Sequence, residues 1–538
     1  MPMLDPQQIE DIYPLTPMQR GMLFHSLYAP RSAVYFQQEG FRLEGRLDRA
    51  AFVRAWELVL ARHSILRTAI VWEGLDEPVQ VVFRRVPLPL EQHDWRAMPP
   101  AEQPAAIAAF AQADRERGFD TVVAPLMRLA LIQLADDAYH FIWSRHHLLL
   151  DGWSVALLLK EALRCYDALR QARAPGLDRP RPYREYLAWL QRQDVAQAEQ
   201  YWRATLAGFR APTPLGVDRA SARPAGQEQY AEKWAHITPA TTAALQGLAR
   251  SLRVTVNTLF QGAWALMLSR YSGQADVLFG ATNSGRPTAL AGVEGMAGLF
   301  INTLPVRVRA APDAPLAPWL QGILAQQGEA RQFNYSSLVD IQRWSELPRG
   351  APLFESLLVF ENFPAISEDD LAGDLAVRSE HSFECTNYPL NLAVLPGPGL
   401  ALRAIYDCDR FDEATIARML GHLQALLGGM LANPQQRLAD LPMLGAAERL
   451  ALVGAPSVAA PAPGVLALFE EQAARSPDAV AVVFEQRSLS FGELNERANQ
   501  LAHYLRARGV GPEVRVGVCL ERSLDLAVGL LAGIGLLA

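Results

Sequence analysis

Lysine is almost missing from this sequence. Lys160 and Lys233 are the only two, and arginine carries nearly all the positive charge. The arginines are scattered and the net charge is only −7, so composition calls for neither nucleic acid nor an anionic membrane as partner. Cysteine is scarce as well. Cys165, Cys385, Cys408 and Cys519 lie far apart with no CxxC pair, which argues against a zinc site or a disulfide framework and fits a reducing compartment. No uninterrupted apolar run reaches the ~18 residues of a membrane span, and the N-terminus, with its acidic residues, has no apolar signal-peptide core. The expectation is a cytoplasmic, soluble chain. Neither a Walker-type loop nor a GxGxxG occurs, which removes the two commonest nucleotide-binding signatures.

What is present is enough apolar material for sizeable cores: half of 538 residues, or about two to four domains. Thr16 reads as an N-cap with Pro17 at the first helical position. Strand patterns at 36–43 and 69–72 flank a helical one at 47–63. A hairpin around residues 135–138 joins strands 126–134 and 139–143. Alternating strands and helices give an α/β first lobe, 1–175, ending at a Pro- and Gly-rich stretch near residues 174–180. A second α/β lobe, 176–445, is expected to hold helices at 183–206, 256–271 and 416–431, with strands near 277–281, 300–308 and 356–360. Residues 446–464 read as a linker, uncharged and rich in Ala and Pro from Ala455. A last α/β unit spans 465–538.

One stretch concentrates chemistry. Ser144-Arg-His-His-Leu-Leu-Leu-Asp-Gly-Trp-Ser154 sets two histidines before an Asp-Gly, between an apolar strand and a helical run from Val155 to Tyr166. Imidazoles titrate near neutrality and Asp-Gly is a turn, so a general base held at a strand-to-helix junction is one reading. A buried structural role suits His146. A metal site is disfavoured, because no Glu or further His stands at ligand spacing. A charged turn in plain core is the remaining alternative.

Other motifs bear on the choice. Leu15-Thr-Pro-Met-Gln-Arg-Gly-Met-Leu-Phe24, Arg62-His-Ser-Ile-Leu-Arg-Thr68, His146 to Gly152 as HHxxxDG, and Tyr183-Arg-Glu-Tyr-Leu-Ala-Trp189 follow one another. Ser284-Gly-Arg-Pro287, Gly298-Leu-Phe-Ile-Asn-Thr303 and Asn387-Tyr-Pro-Leu390 come after them. In this order, over about residues 8 to 445, the chain resembles the condensation domains of nonribosomal peptide synthetases. Leu489-Ser-Phe-Gly-Glu-Leu494 is similar to the first motif of an amino-acid adenylation domain, and Val514 to Leu531 to its next strand and helix. The later adenylation motifs and a carrier-domain serine are not in the sequence, so no adenylating activity is expected of this chain.

The resemblance implies two chloramphenicol-acetyltransferase-like lobes in a V-shaped pseudo-dimer, followed by a partial adenylation segment. It implies amide-bond formation between phosphopantetheine thioesters supplied by donor and acceptor carrier proteins, with no cofactor or metal bound by the chain itself. His147 is the expected base or positioning group, and His146 is structural. Asp151 would brace the loop through an ion pair with Arg286, and Gly152 would admit the thioester. Epimerisation and a silent recruiting platform are the rivals. The donor is read as peptidyl, of the subtype taking a D-configured residue, with a fatty acyl starter as the alternative.

Overall fold

The computed structural model describes residues 5–29, 33–219, 229–361, 375–453, 464–511 and 514–535. Two compact units divide the chain, Met1–Gly445 and Ala446–Ala538.

The first unit contains two large sheets, each with its own apolar core. One sheet runs in the order Ala376–Glu384, Phe36–Glu44, Ala138–His146, Met127–Ala135, Leu90–Asp94. All its neighbours are antiparallel except the last pair. Helices Arg49–Arg62 and Gly152–Arg170 share one apolar core with the sheet through Trp56, Leu158, Phe141 and Trp143. Helix Gln103–Arg117 contributes Ala111 to a second cluster with Ala130, Ile132 and Ile142. Covered by these two clusters, all nine residues of Ala138–His146 are buried, as a central strand packed on both faces must be.

The second sheet has six strands in the order Asn302–Arg309, Asp276–Asn283, Ser356–Phe360, Leu390–Leu395, Leu400–Asp407, Tyr230–Ile237. Helices Val256–Ser272 and Glu413–Ala432 fill its core with Phe260, Leu268, Leu423 and Leu427. Three strands of this sheet, Tyr230–Ile237, Leu390–Leu395 and Leu400–Asp407, escape the sequence reading.

Two expectations change. The helix expected over 183–206 is two helices, Arg184–Leu190 and Val195–Leu206, because the Asp194 side chain accepts from Gln197 N at 3.0 Å and starts the second afresh. The packing also crosses the expected lobe boundary at 175/176. Tyr183, Tyr186, Val293 and Phe300 belong to the first core, and Ala376–Glu384 pairs with the first sheet. That strand is polar and half-exposed, so it has no apolar alternation to betray it.

In the second unit, Val480–Phe484 and Arg487–Ser490 form a hairpin beside helices Val465–Arg475, Phe491–Ala507 and Leu524–Gly535. Ser490 and Glu493 complete a capping box at the middle helix. The strand expected from Val514 does not form. Residues 514–520 have no regular structure, and Val514, Val516, Val518 and Leu520 are exposed, because no neighbouring strand pairs with them among the described residues. The first eight residues of the expected linker form the helix Ala446–Val453, and 454–463 lie outside the described residues. Among the described residues no helix is long and apolar enough to cross a membrane.

Candidate active site

The strand Ala138–His146 ends at the first histidine and the helix Gly152–Arg170 begins at Gly152, so the motif is the loop between them. Three features hold it. Leu148, Leu149 and Leu150 are fully buried and anchor it in the first core. The Gln19 side chain, from the opening motif, donates to Leu148 O at 2.9 Å. Asp151 caps the helix, its Oδ1 accepting from Ser154 N at 2.8 Å.

His146 turns inward. Its Nδ1 accepts from Leu148 N at 3.1 Å and its Nε2 lies 3.2 Å from Ser26 Oγ. An acceptor role fixes Nδ1 as the unprotonated nitrogen. Burial, and then the neighbouring His147, push its pKa down to about 3, so it stays neutral.

His147 faces a cavity. Its main-chain N–H donates to Tyr35 O at 2.8 Å, and its Nδ1 sits 2.8 Å from Leu150 O. A carbonyl only accepts, so Nδ1 carries a hydrogen, and in the neutral form of the ring the lone pair lies on Nε2. That lone pair looks toward Glu384, whose Oε1 is 3.5 Å away. The Gln37 side chain holds the same oxygen at 3.0 Å.

Asp151 and Arg286 meet at 3.3 Å, both side chains almost fully buried. Asp151 Oδ2 also accepts from Phe300 N at 3.1 Å. Arg286 reaches the carbonyls of Val293 and Met296 and the Ser154 hydroxyl, and its guanidinium lies over the Phe300 ring. Burial lowers the Arg286 pKa from its ordinary value, against the opposing pull of Asp151. Ser154 Oγ donates to Gly298 O at 2.8 Å and accepts from Gly298 N at 3.0 Å. A side chain at Gly285 (φ +65°) would collide with Phe300 O, and one at Gly298 with the Tyr183 ring. The separated motifs around Tyr183, Ser284 and Gly298 therefore converge as one packed support behind the histidine loop. Asn302 lines the cavity instead, its side chain donating to Ser336 O at 2.8 Å.

Gly152 lies on the cavity wall at the helix start, where its N–H has no intrahelical acceptor. The cavity is about 2260 Å³ and is lined from both lobes, by His147, Gly152 and Trp153 on one side and Ser284, Tyr388 and Arg403 on the other. That exceeds the ~300–1,000 Å³ of a small-ligand pocket.

Sequence reasoning missed the acidic residues on this wall. Glu39 pairs with both terminal guanidinium nitrogens, Nη1 and Nη2, of the buried Arg145. Glu361 has its pKa pushed up to about 8, by burial first and then by Glu384. Arg145 stands next to His146 in the motif, which was a usable signal; Glu361 and Glu384 offered none. Among the described residues, no group of His, Cys, Asp and Glu is arranged to hold a metal ion.

Residues 9–453 match the family described as Condensation domain, and residues 469–536 match AMP-binding enzyme. The chain is 46% identical over 531 residues to one of the linear gramicidin synthase proteins of Brevibacillus parabrevis, a match covering 98% of this chain and only 7% of that protein. Among solved structures, a four-domain nonribosomal peptide synthetase bound to AMP and glycine shares the fold with a TM-score of 0.71 at 18% identity, over 98% of this chain and 41% of that one. A starter condensation domain of rhizomide synthetase in complex with C8-CoA gives 0.68 at 22% identity, over 80% of this chain and 98% of that one. The two-lobed, chloramphenicol-acetyltransferase-like fold, the motif order and the matched span agree. The chain belongs to the condensation-domain family of nonribosomal peptide synthetases and continues into the start of an AMP-binding domain.

Proposed function

We propose that this chain forms an amide bond between two thioester-bound substrates presented by a donor and an acceptor carrier protein. The acceptor's α-amine attacks the donor thioester carbonyl. The C–S bond breaks, the acyl group passes to nitrogen, and the donor arm leaves as a thiol. The observation that carries this reading is the His147 ring, tied through Nδ1–H to Leu150 O so that a bare Nε2 faces the cavity between the lobes.

A thioester is already activated, so the demand on the protein is modest. An α-amine with a pKa near ~8 arrives partly protonated and must shed a proton to attack. His147 Nε2 is placed to take it, and the tetrahedral adduct then loses a second proton as the amide forms. The Gly152 N–H at the helix start is available to the oxyanion. Holding both thioesters in one cavity makes the encounter effectively intramolecular. Asp151 and Arg286 act indirectly, by fixing the loop that carries His147.

The donor is read as peptidyl. The test offers wild type and His147→Ala an aminoacyl-carrier acceptor with either a peptidyl-carrier or an acyl-coenzyme A donor, and measures amide by mass spectrometry. A drop of about 10²-fold or more is expected for the variant. Equal rates in variant and wild type with every donor would remove His147 from the chemistry. Product with the acyl-coenzyme A donor alone would reassign the donor class.

A further inference from the structure

We propose that Glu384 binds the acceptor substrate's α-ammonium, which bridges its carboxylate and the Nε2 of His147. This inference rests on the amide-forming reading above and names a second residue for the amine.

The His147 Nε2 and the Glu384 carboxylate face each other at the cavity wall. With Nδ1–H given to Leu150 O, the neutral ring presents a lone pair at Nε2, and 3.5 Å away stands Glu384 Oε1, also an acceptor. When the ring is neutral, two acceptors face each other, an arrangement that a cationic donor completes. A nitrogen ~2.9 Å from both atoms would see them about 74° apart, within the bend that two hydrogens of one ammonium tolerate.

The charges on the wall single out Glu384. The Glu39 carboxylate is neutralised by Arg145, and Arg403 is occupied by Glu232 at 2.7 Å. Glu361, raised to about 8, is mostly uncharged near neutral pH. Besides His147, Glu384 has the neutral amide of Gln37 and no Lys or Arg partner among the described residues. Its negative charge therefore faces the cavity directly beside the proposed base.

Placement is rigid. Glu384 lies in register with Gln37, and Gln37 in register with Arg145, across three adjacent strands. The strand that carries it is the segment crossing into the first sheet from the second half of the unit. One polar strand thus ties the halves together and brings the anion to His147.

The proton balance is complete. The bound ammonium carries three hydrogens: one passes to His147, one is lost as the tetrahedral adduct collapses and leaves with the thiolate as a thiol, and one stays in the amide. Glu384 changes no bond. It concentrates the amine and faces the charge left on the imidazole.

The test is binding of an unreactive aminoacyl-pantetheine thioether, compared with its des-amino counterpart, to the full chain by calorimetry. Wild type should prefer the amine-bearing compound by about 10- to 100-fold, the worth of a charge-assisted hydrogen bond. Glu384→Gln, which keeps the size of the side chain and an acceptor for Gln37, should lose most of that preference. In turnover it should raise the acceptor KM with the donor KM within twofold. An unchanged preference in Glu384→Gln would overturn the role of Glu384, while loss of amide formation in His147→Ala would leave the reaction assignment standing. Absence of any amide from wild type would sink the reaction assignment, and the binding comparison would still decide the ammonium site.

Discussion

Removing the Asp151 carboxylate is the sharpest perturbation of the support behind the histidine loop. In Asp151→Ala three things happen together. The helix loses its cap, worth about 1 kcal/mol. The buried Phe300 N–H loses its acceptor, at about 1–3 kcal/mol. Arg286 is left as a buried cation without its carboxylate, which elsewhere costs about 3–5 kcal/mol. Here Arg286 keeps two carbonyls and a hydroxyl, so the last cost is reduced, and the sum is expected at about 3–5 kcal/mol. Arg286→Met should cost less, about 2 kcal/mol, because Asp151 retains two N–H donors. The double variant should be milder than the two single losses added, with a coupling of about 1–3 kcal/mol. Urea unfolding followed by tryptophan fluorescence is the assay. All eleven tryptophans lie in the first unit, so the signal reports that unit alone. A loss below about 1 kcal/mol for Asp151→Ala, or strict additivity in the double variant, would refute the bracing role.

Two buried groups make stability depend on pH in opposite directions. Unfolded His146 takes a proton near pH 6.5 and the folded residue only near about 3, so the unfolded state binds more protons between. Wild-type stability should fall as pH drops through that window, and His146→Gln should show a shallower fall in urea midpoint from pH 6.5 to 4. A parallel slope would contradict a neutral buried imidazole. Glu361 behaves oppositely: the unfolded carboxyl ionises near pH 4.5 while the folded one keeps its proton to about 8. Stability is therefore lost as pH rises between these values, and Glu361→Gln should gain on wild type across them. The unscreened shift would be worth ~5 kcal/mol and cavity solvent reduces it to about 2 kcal/mol; a constant difference from pH 5 to 8 would count against the assignment.

The sequence by itself determined the local pieces and the family. Thr16 with Gln19, Asp151 and Ser490 with Glu493 are caps because short oxygen-bearing side chains satisfy N–H groups within one turn, which needs no tertiary partner. The HHxxxDG spacing and the order of the separated motifs carried the reading of His147 and the expected Asp151–Arg286 pair. Only the tertiary structure decided which nitrogen of His147 is tied to the backbone and which faces Glu384, since that depends on where the carbonyl of Leu150 folds back. It also decided that Tyr183, Gly285, Gly298 and Phe300 form one support, through contacts spanning more than a hundred residues. The strand Ala376–Glu384 shows the limit most clearly. Its residues are polar and half-exposed, and what makes it a strand is the free edge of Phe36–Glu44, far away in the chain. A period of apolar residues records burial against a core; pairing with a distant edge leaves no such record, and here it brings Glu384 to His147.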